Sequence, residues 1–214
     1  MKKNIVLTTL FILPILIFFY FYFSVNNYVK LPIITTNVPE INYKWETLNR
    51  KKVVLENKIT VLSFSGYKIL ENRANYYDIC QKIYVPYRAF RGFQFVIISP
   101  KGTEEQVKIL LKRLNNIENI SGYNFVFADP NEIKQYYKSL RLKNKLDKDL
   151  GTPMVFIIDK GKNLRGRKGK DLKGKNEYKE GYNSSKLSEL YNEMTDDIRV
   201  LTHEYRLKRK NHEE

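Results

Sequence analysis

The sequence predicts an α/β sandwich standing behind an N-terminal apolar helix. Three observations carry that reading. Residues 5–25 contain no charged side chain. Beyond them, short apolar runs (Ile59–Phe64, Phe93–Ile98, Met154–Ile158) alternate with segments of helical period. The runs are apolar at almost every position, which is the pattern of strands covered on both faces.

Composition narrows the chemistry. The chain has 214 residues, a formal net charge of +15, 43% apolar residues, 16 Tyr and 12 Phe. That much apolar area excludes an intrinsically disordered chain. A single cysteine excludes an internal disulfide and any dithiol site, and two histidines, His203 and His212, exclude a His-rich metal centre. No phosphate loop, dinucleotide fingerprint or Ser/His/Asp set is present.

Residues 1–25 read as a membrane anchor. About 20 apolar residues cross a hydrocarbon core, and Ile5–Val25 meets that length, with Phe18–Phe23 as an aromatic belt at its exit. A cleaved signal peptide needs a small-residue cleavage site, and Phe23-Ser24-Val25-Asn26-Asn27 offers none. Lys2 and Lys3 before the span predict a single-pass protein of a bacterial inner membrane with its C-terminal domain in the periplasm. Residues 26–50, with Pro32 and Pro39, read as a linker that begins to pack near Trp45. Residues 51–207 form the domain and 208–214 a charged tail.

Within the domain, Ile59–Phe64 is the first strand and residues 69–84 a helix with Tyr76, Ile79, Cys80 and Ile83 inward. Phe93–Ile98 is the next strand. Thr103–Gln106 reads as a capping box opening a helix with Val107, Leu110, Leu111 and Leu114 on one face. Asn124–Ala128 is a short strand, and Asp129-Pro130 starts another helix. Met154–Ile158 turns through Asp159–Asn163 into a partner strand around Leu164. Ser185 is expected to cap a last helix with Leu187, Leu190, Tyr191, Met194, Ile198, Leu201 and Tyr205 inward.

Two segments resemble a known scaffold. Gly151-Thr152-Pro153 before an apolar strand and Asp159 looks like the cis-proline segment beside the redox site of thioredoxin-like domains. Val61–Tyr67 resembles the strand and Gly-Tyr turn of the SCO/SenC family, membrane-tethered thioredoxin-like proteins of respiratory oxidase assembly. Leu164–Arg167, Gly181–Ser185 and the Asp196–Arg206 stretch extend the resemblance over roughly residues 50–207.

The resemblance implies a thioredoxin-like α/β/α sandwich with Cys-x-x-x-Cys and a histidine as copper or redox ligands. Those positions fall on Leu70, Ala74 and Gly151, none of which ligates a metal through its side chain. The expectation is a pseudoenzyme: no catalysis, no metal and no cofactor. It would be an accessory protein whose groove beside Thr152 and Pro153 holds a protein partner at the membrane, in oxidase assembly by family implication. The alternative is a thiol–disulfide or copper-handling protein whose ligands come from that partner.

Cys80, on an apolar helix face, reads as core. Lys160, Lys162, Arg165, Arg167, Lys168, Lys170, Lys173 and Lys175, interspersed with glycines, read as a basic hairpin tip. It is either a solvated loop or a contact for a protein or anionic lipid; a translocated domain would not meet nucleic acid. Asp129, Asp159, Asp196 and Asp197 show no spacing suited to acid–base work, and the last two are placed on or beside a polar helix face.

Overall fold

The computed structural model describes residues 10–20, 30–170 and 174–213. They belong to two compact units, residues 1–30 and 31–214. In the first, residues 10–20 form helix α1, whose side chains are exposed. Among the described residues no helix is long and apolar enough to cross a membrane. Both ends of the expected span, residues 5–9 and 21–25, lie outside them.

The second unit is built on the three apolar runs. Strands β3 (Ile59–Ser65), β4 (Phe93–Pro100) and β5 (Tyr123–Ala128) are parallel. Strand β6 (Gly151–Ile158) lies antiparallel on the other side of β3, and β7 (Leu164–Arg165) pairs with β6. Two short strands complete the path: β1 (Ile33–Thr35) outside β7 and β2 (Glu46–Thr47) outside β5.

Successive residues of a strand face opposite sides, and this sheet buries both. Ile59, Val61, Phe95, Ile97, Val155 and Ile157 enter one core, beneath the helices α2 (Arg73–Ile79), α4 (Glu104–Asn115) and α6 (Thr195–Glu213). Leu62, Phe64, Val96, Ile98, Phe156 and Ile158 enter the other, with helix α5 (Pro130–Ser139) and the Val38–Leu55 segment. Between α2 and α4, a π-helical turn (Cys80–Tyr84) leads into the short α3 (Val85–Tyr87).

Four expectations are corrected here. Residues 31–50 are not a linker: β1 and β2 are sheet edges, and Val38, Ile41 and Trp45 are buried. The Thr103 hydroxyl does not cap α4; it donates to the Pro100 carbonyl at 2.7 Å. Ser185 does not cap the last helix, its hydroxyl accepting from the Asn75 amide at 3.0 Å instead. Leu187 and Tyr191 are exposed rather than inward. A π-helical stretch, Glu189–Met194, precedes α6. Leu190, Met194, Ile198 and Leu201 are buried, as their helical spacing predicts. The Asp129 cap is present, with Glu132 reaching back to the Asp129 N–H at 3.2 Å.

Candidate functional site

In open α/β sheets a cleft forms where the carboxyl ends of parallel strands meet a change of direction. Here that point is the end of β3 beside the start of β6. Gly66 makes the meeting possible. It sits at φ +63°, and a Cβ there would lie 2.6 Å from the Asp149 carbonyl and 2.7 Å from the Gly151 nitrogen. Only a residue without a side chain lets the two backbones approach so closely. The Tyr67 N–H then donates to the Asp149 carbonyl at 3.0 Å.

The result is a cleft of about 240 Å³ between Ser63–Ser65, the start of α2, Asp147, Gly151–Pro153 and Ser184-Ser185. Its groups are mostly neutral. The Ser65 hydroxyl bonds the Ser99 hydroxyl at 2.8 Å, and Tyr76 reaches the same serine from below. Burial pushes the Tyr76 phenol well above its ordinary range, so it stays protonated. Asp147 is tied down locally, accepting from the Asp149 and Gly151 N–H groups at 2.8 Å each. Ser184 donates through both its N–H and its hydroxyl to the Pro153 carbonyl, at 2.8 and 2.7 Å. The short strand β10 (Tyr182–Asn183), which the sequence reading missed, pairs with β6 and delivers that serine.

The peptide bond before Pro153 is trans, which corrects the expected cis-proline. Trans is the lower-energy state of an X–Pro bond. It keeps the chain extended, so that Gly151 pairs with Ser65 and Met154 with Asn183 within one continuous strand. Pro153 lies at the strand entrance, where its missing N–H is tolerated.

Gly151, Thr152 and Pro153 line the cleft; Leu70 and Ala74 do not. The helix begins at Arg73, not residue 69, so Leu70 stands before it, packed against the core, and Ala74 is exposed. Asn72, Asn75 and Tyr76 supply the helix side of the cleft instead. Gly151 has little room for a larger residue, since a Cβ would lie 3.1 Å from the Ser65 carbonyl.

Nothing in the cleft is a nucleophilic thiol. Cys80 is buried in the core, where desolvation raises its pKa despite the nearby Tyr123 hydroxyl. Among the described residues, no group of three His, Cys, Asp or Glu side chains could hold a metal ion.

The basic run is not one surface. Arg165 is buried, donating to Asp159 at 2.8 Å, Glu204 at 3.0 Å and the Leu31 carbonyl at 2.8 Å. Arg167 grips Asp197 through two nitrogens, at 2.8 and 3.0 Å, and Tyr182 donates its hydroxyl to the same carboxylate. Asp197 is therefore buried under the sheet, not on a polar face. Lys162 lies 3.9 Å from Glu40, and the Lys160 ammonium lies over the Phe90 and Tyr205 rings. Lys168 and Lys170 are exposed on strand β8 (Arg167–Lys170), paired with β9 (Asn176–Lys179). Lys175 immediately precedes β9, and Lys173 lies outside the described residues.

No family model and no curated protein sequence matches this chain. Solved structures do. One is BsSco, a member of the Sco family of cytochrome c oxidase assembly proteins. It shares 12% identity over 82% of this chain and 98% of its own, with a TM-score of 0.54. The fold is thioredoxin-like. Copper-bound ScoI of Bradyrhizobium japonicum aligns at 15% identity over 81% of this chain and all of its own, with a TM-score of 0.43. A thioredoxin-family thiol:disulfide interchange protein of Chlorobium tepidum aligns at 22% identity over 63% and 86%, with a TM-score of 0.47. Identities this low concern the scaffold alone.

Proposed function

We propose that this chain is a membrane-tethered, thioredoxin-fold accessory protein that binds an extended segment of a protein partner and carries no redox or copper chemistry of its own. One observation carries the reading. The polar lining of the cleft at the end of β3 is hydroxyls, carboxamides, backbone and the Asp147 carboxylate, while the one thiol is buried in the core. Groups of that kind hold a peptide by hydrogen bonds and cannot exchange a disulfide. Because Ser184 already occupies the Pro153 carbonyl, Thr152, Asn72, Asn75 and Ser185 are the groups that would meet the guest.

The tether is residues 5–25, and the domain is proposed to face the periplasm. A partner among oxidase assembly proteins is proposed from the sequence resemblance of Val61–Tyr67 and of the later segments to the SCO/SenC family. The test places a photo-crosslinking residue at Asn75 or, as a control, at exposed Lys112 of the full-length chain in membranes. Capture of one protein from position 75 alone, abolished by Thr152→Lys, is the expected result. Equal capture from both positions would remove the cleft from the reading. Stoichiometric copper on the purified chain, or insulin reduction by it, would overturn the reading; either one appearing only when the captured partner is added would favour ligands lent by that partner.

A further inference from the structure

At the opposite end of the sheet from the cleft, a second hollow of about 600 Å³ opens between the α3–β4 connection, Lys160 and α6. Its walls combine aromatic rings with cations. Lys160 lies 5.4 Å from the Phe90 ring and 5.2 Å from the Tyr205 ring. The Arg206 guanidinium lies 5.7 Å from Phe90, and Lys208 lies 5.0 Å from Tyr205. Arg91 and Arg206 are exposed. Among the described residues, no carboxylate stands within ion-pair distance of Arg91, Lys160 or Arg206. The carboxylate on this stretch of α6, Glu204, is engaged by Arg165 and Lys208.

The position of this face matters as much as its chemistry. The body begins at Leu31, and the Leu31 carbonyl accepts from Arg165, whose other nitrogen holds Glu204, the neighbour of Tyr205. The first residue of the body, Leu31, is thus tied through Arg165 to the turn of α6 that carries Tyr205. Cations with amphipathic rings are the side chains that settle at a lipid head-group layer.

We infer that the face formed by Phe90, Arg91, Lys160, Tyr205, Arg206 and Lys208 rests on anionic lipid head groups. It fixes the orientation of the body on the membrane and turns the cleft away from it. This rests on the anchor reading above, and its test separates the two. Every residue of both cores lies within residues 31–214, so that body carries its own fold.

The body is sedimented with vesicles of phosphatidylcholine alone or mixed with phosphatidylglycerol. Binding to the mixed vesicles only is expected, weakened about tenfold or more by Lys160→Glu with Arg206→Glu, at roughly 1 kcal/mol per surface cation. Lys168→Glu with Lys170→Glu makes the same charge change on the hairpin and leaves binding unaltered. Arg91→Glu, at an exposed site, repeats the loss without touching a packed ring. Equal loss from both pairs, or no binding to mixed vesicles, overturns the inference, as does a photo-crosslinker at Phe90 that captures protein and no lipid. A full chain that carbonate extracts from membranes removes the anchor and leaves this face standing. One that stays embedded while its body ignores anionic vesicles does the reverse.

Discussion

The two ends of strand β6 are built from opposite materials. Its first residues, Gly151-Thr152-Pro153, border a cleft of hydroxyls and carboxamides with the Asp147 carboxylate among them. Beyond its last, Asp159 is buried under Arg165, and Arg165 is shared with Glu204. One strand separates them, and the second end holds a buried ion pair. Burying charge is tolerated when each ion has a partner and its remaining hydrogen bonds are met. Asp159 meets this fully: besides Arg165, it accepts from the Gly161 and Asn163 N–H groups at 2.9 Å each. At that end, buried ions hold the β6–β7 turn and α6 together. At the other end the hydroxyls and carboxamides are neutral, and the Asp147 carboxylate that lines the cleft is exposed and held by the Asp149 and Gly151 N–H groups.

Breaking the charged end should have the largest effect. Arg165→Met leaves Asp159 buried without its cation and Glu204 with Lys208 alone, and urea unfolding should register a loss of about 3–5 kcal/mol. A loss below about 1 kcal/mol would mean that water reaches those carboxylates and that the contrast between the ends is smaller than the geometry implies. At the neutral end the sensitive element is backbone. Gly66→Ala places a methyl group on the Asp149–Gly151 backbone at a positive φ and should cost at least about 2 kcal/mol. Capture of a partner from position 75 should fall with it.

Two adjacent tyrosines sharpen the point that burial without a partner adds nothing. The Tyr136 hydroxyl donates to the Pro39 carbonyl at 2.9 Å, whereas that of Tyr137 is buried with no hydrogen-bond partner among the described residues. Tyr136→Phe should destabilise by about 1 kcal/mol, and Tyr137→Phe should be neutral or slightly stabilising. A cost for Tyr137→Phe equal to that for Tyr136→Phe would reveal a bound water on its hydroxyl.

The smallest effect is on pH. Burial, with nearby carboxylates, pushes Tyr137 and Tyr205 up to about 12. Their folded pKa values exceed the unfolded value near 10, so the fold favours the neutral phenols. That stability is intact below about pH 10 and is lost as pH rises through about 12. Tyr205→Phe should flatten part of the alkaline fall in a urea titration; an unchanged slope would mean that this phenol titrates normally.

Much of the scaffold was legible because it depends on local pattern. Ile59–Phe64, Phe93–Ile98 and Met154–Ile158 are continuous apolar runs, and only a strand covered on both faces uses such a run fully. The Asp129-Pro130 start was legible because its partner, Glu132, is three residues away. The cleft was half legible: the Gly151–Pro153 side was found, but the helix side was assigned to Leu70 and Ala74. That difference arises because α2 starts at Arg73, a boundary set by how Ile69 and Leu70 pack into the core. Arg165 and Arg167 were read as a solvated tip because glycines and lysines surround them. Their decisive partners, Glu204 and Asp197, lie 39 and 30 residues away.

By itself, then, the sequence determined the α/β alternation, the burial of both faces of the sheet and the absence of any dithiol. Each of these depends on residue type and short-range period. Only the tertiary structure decided that the proline bond is trans, that Asn72 and Asn75 face the cleft, and that two arginines of a basic run are interior struts while Lys160 stands among aromatic rings. The reason is physical: hydrophobic period acts between residues a few positions apart, whereas a buried charge is tolerated only by the partner that folding carries to it.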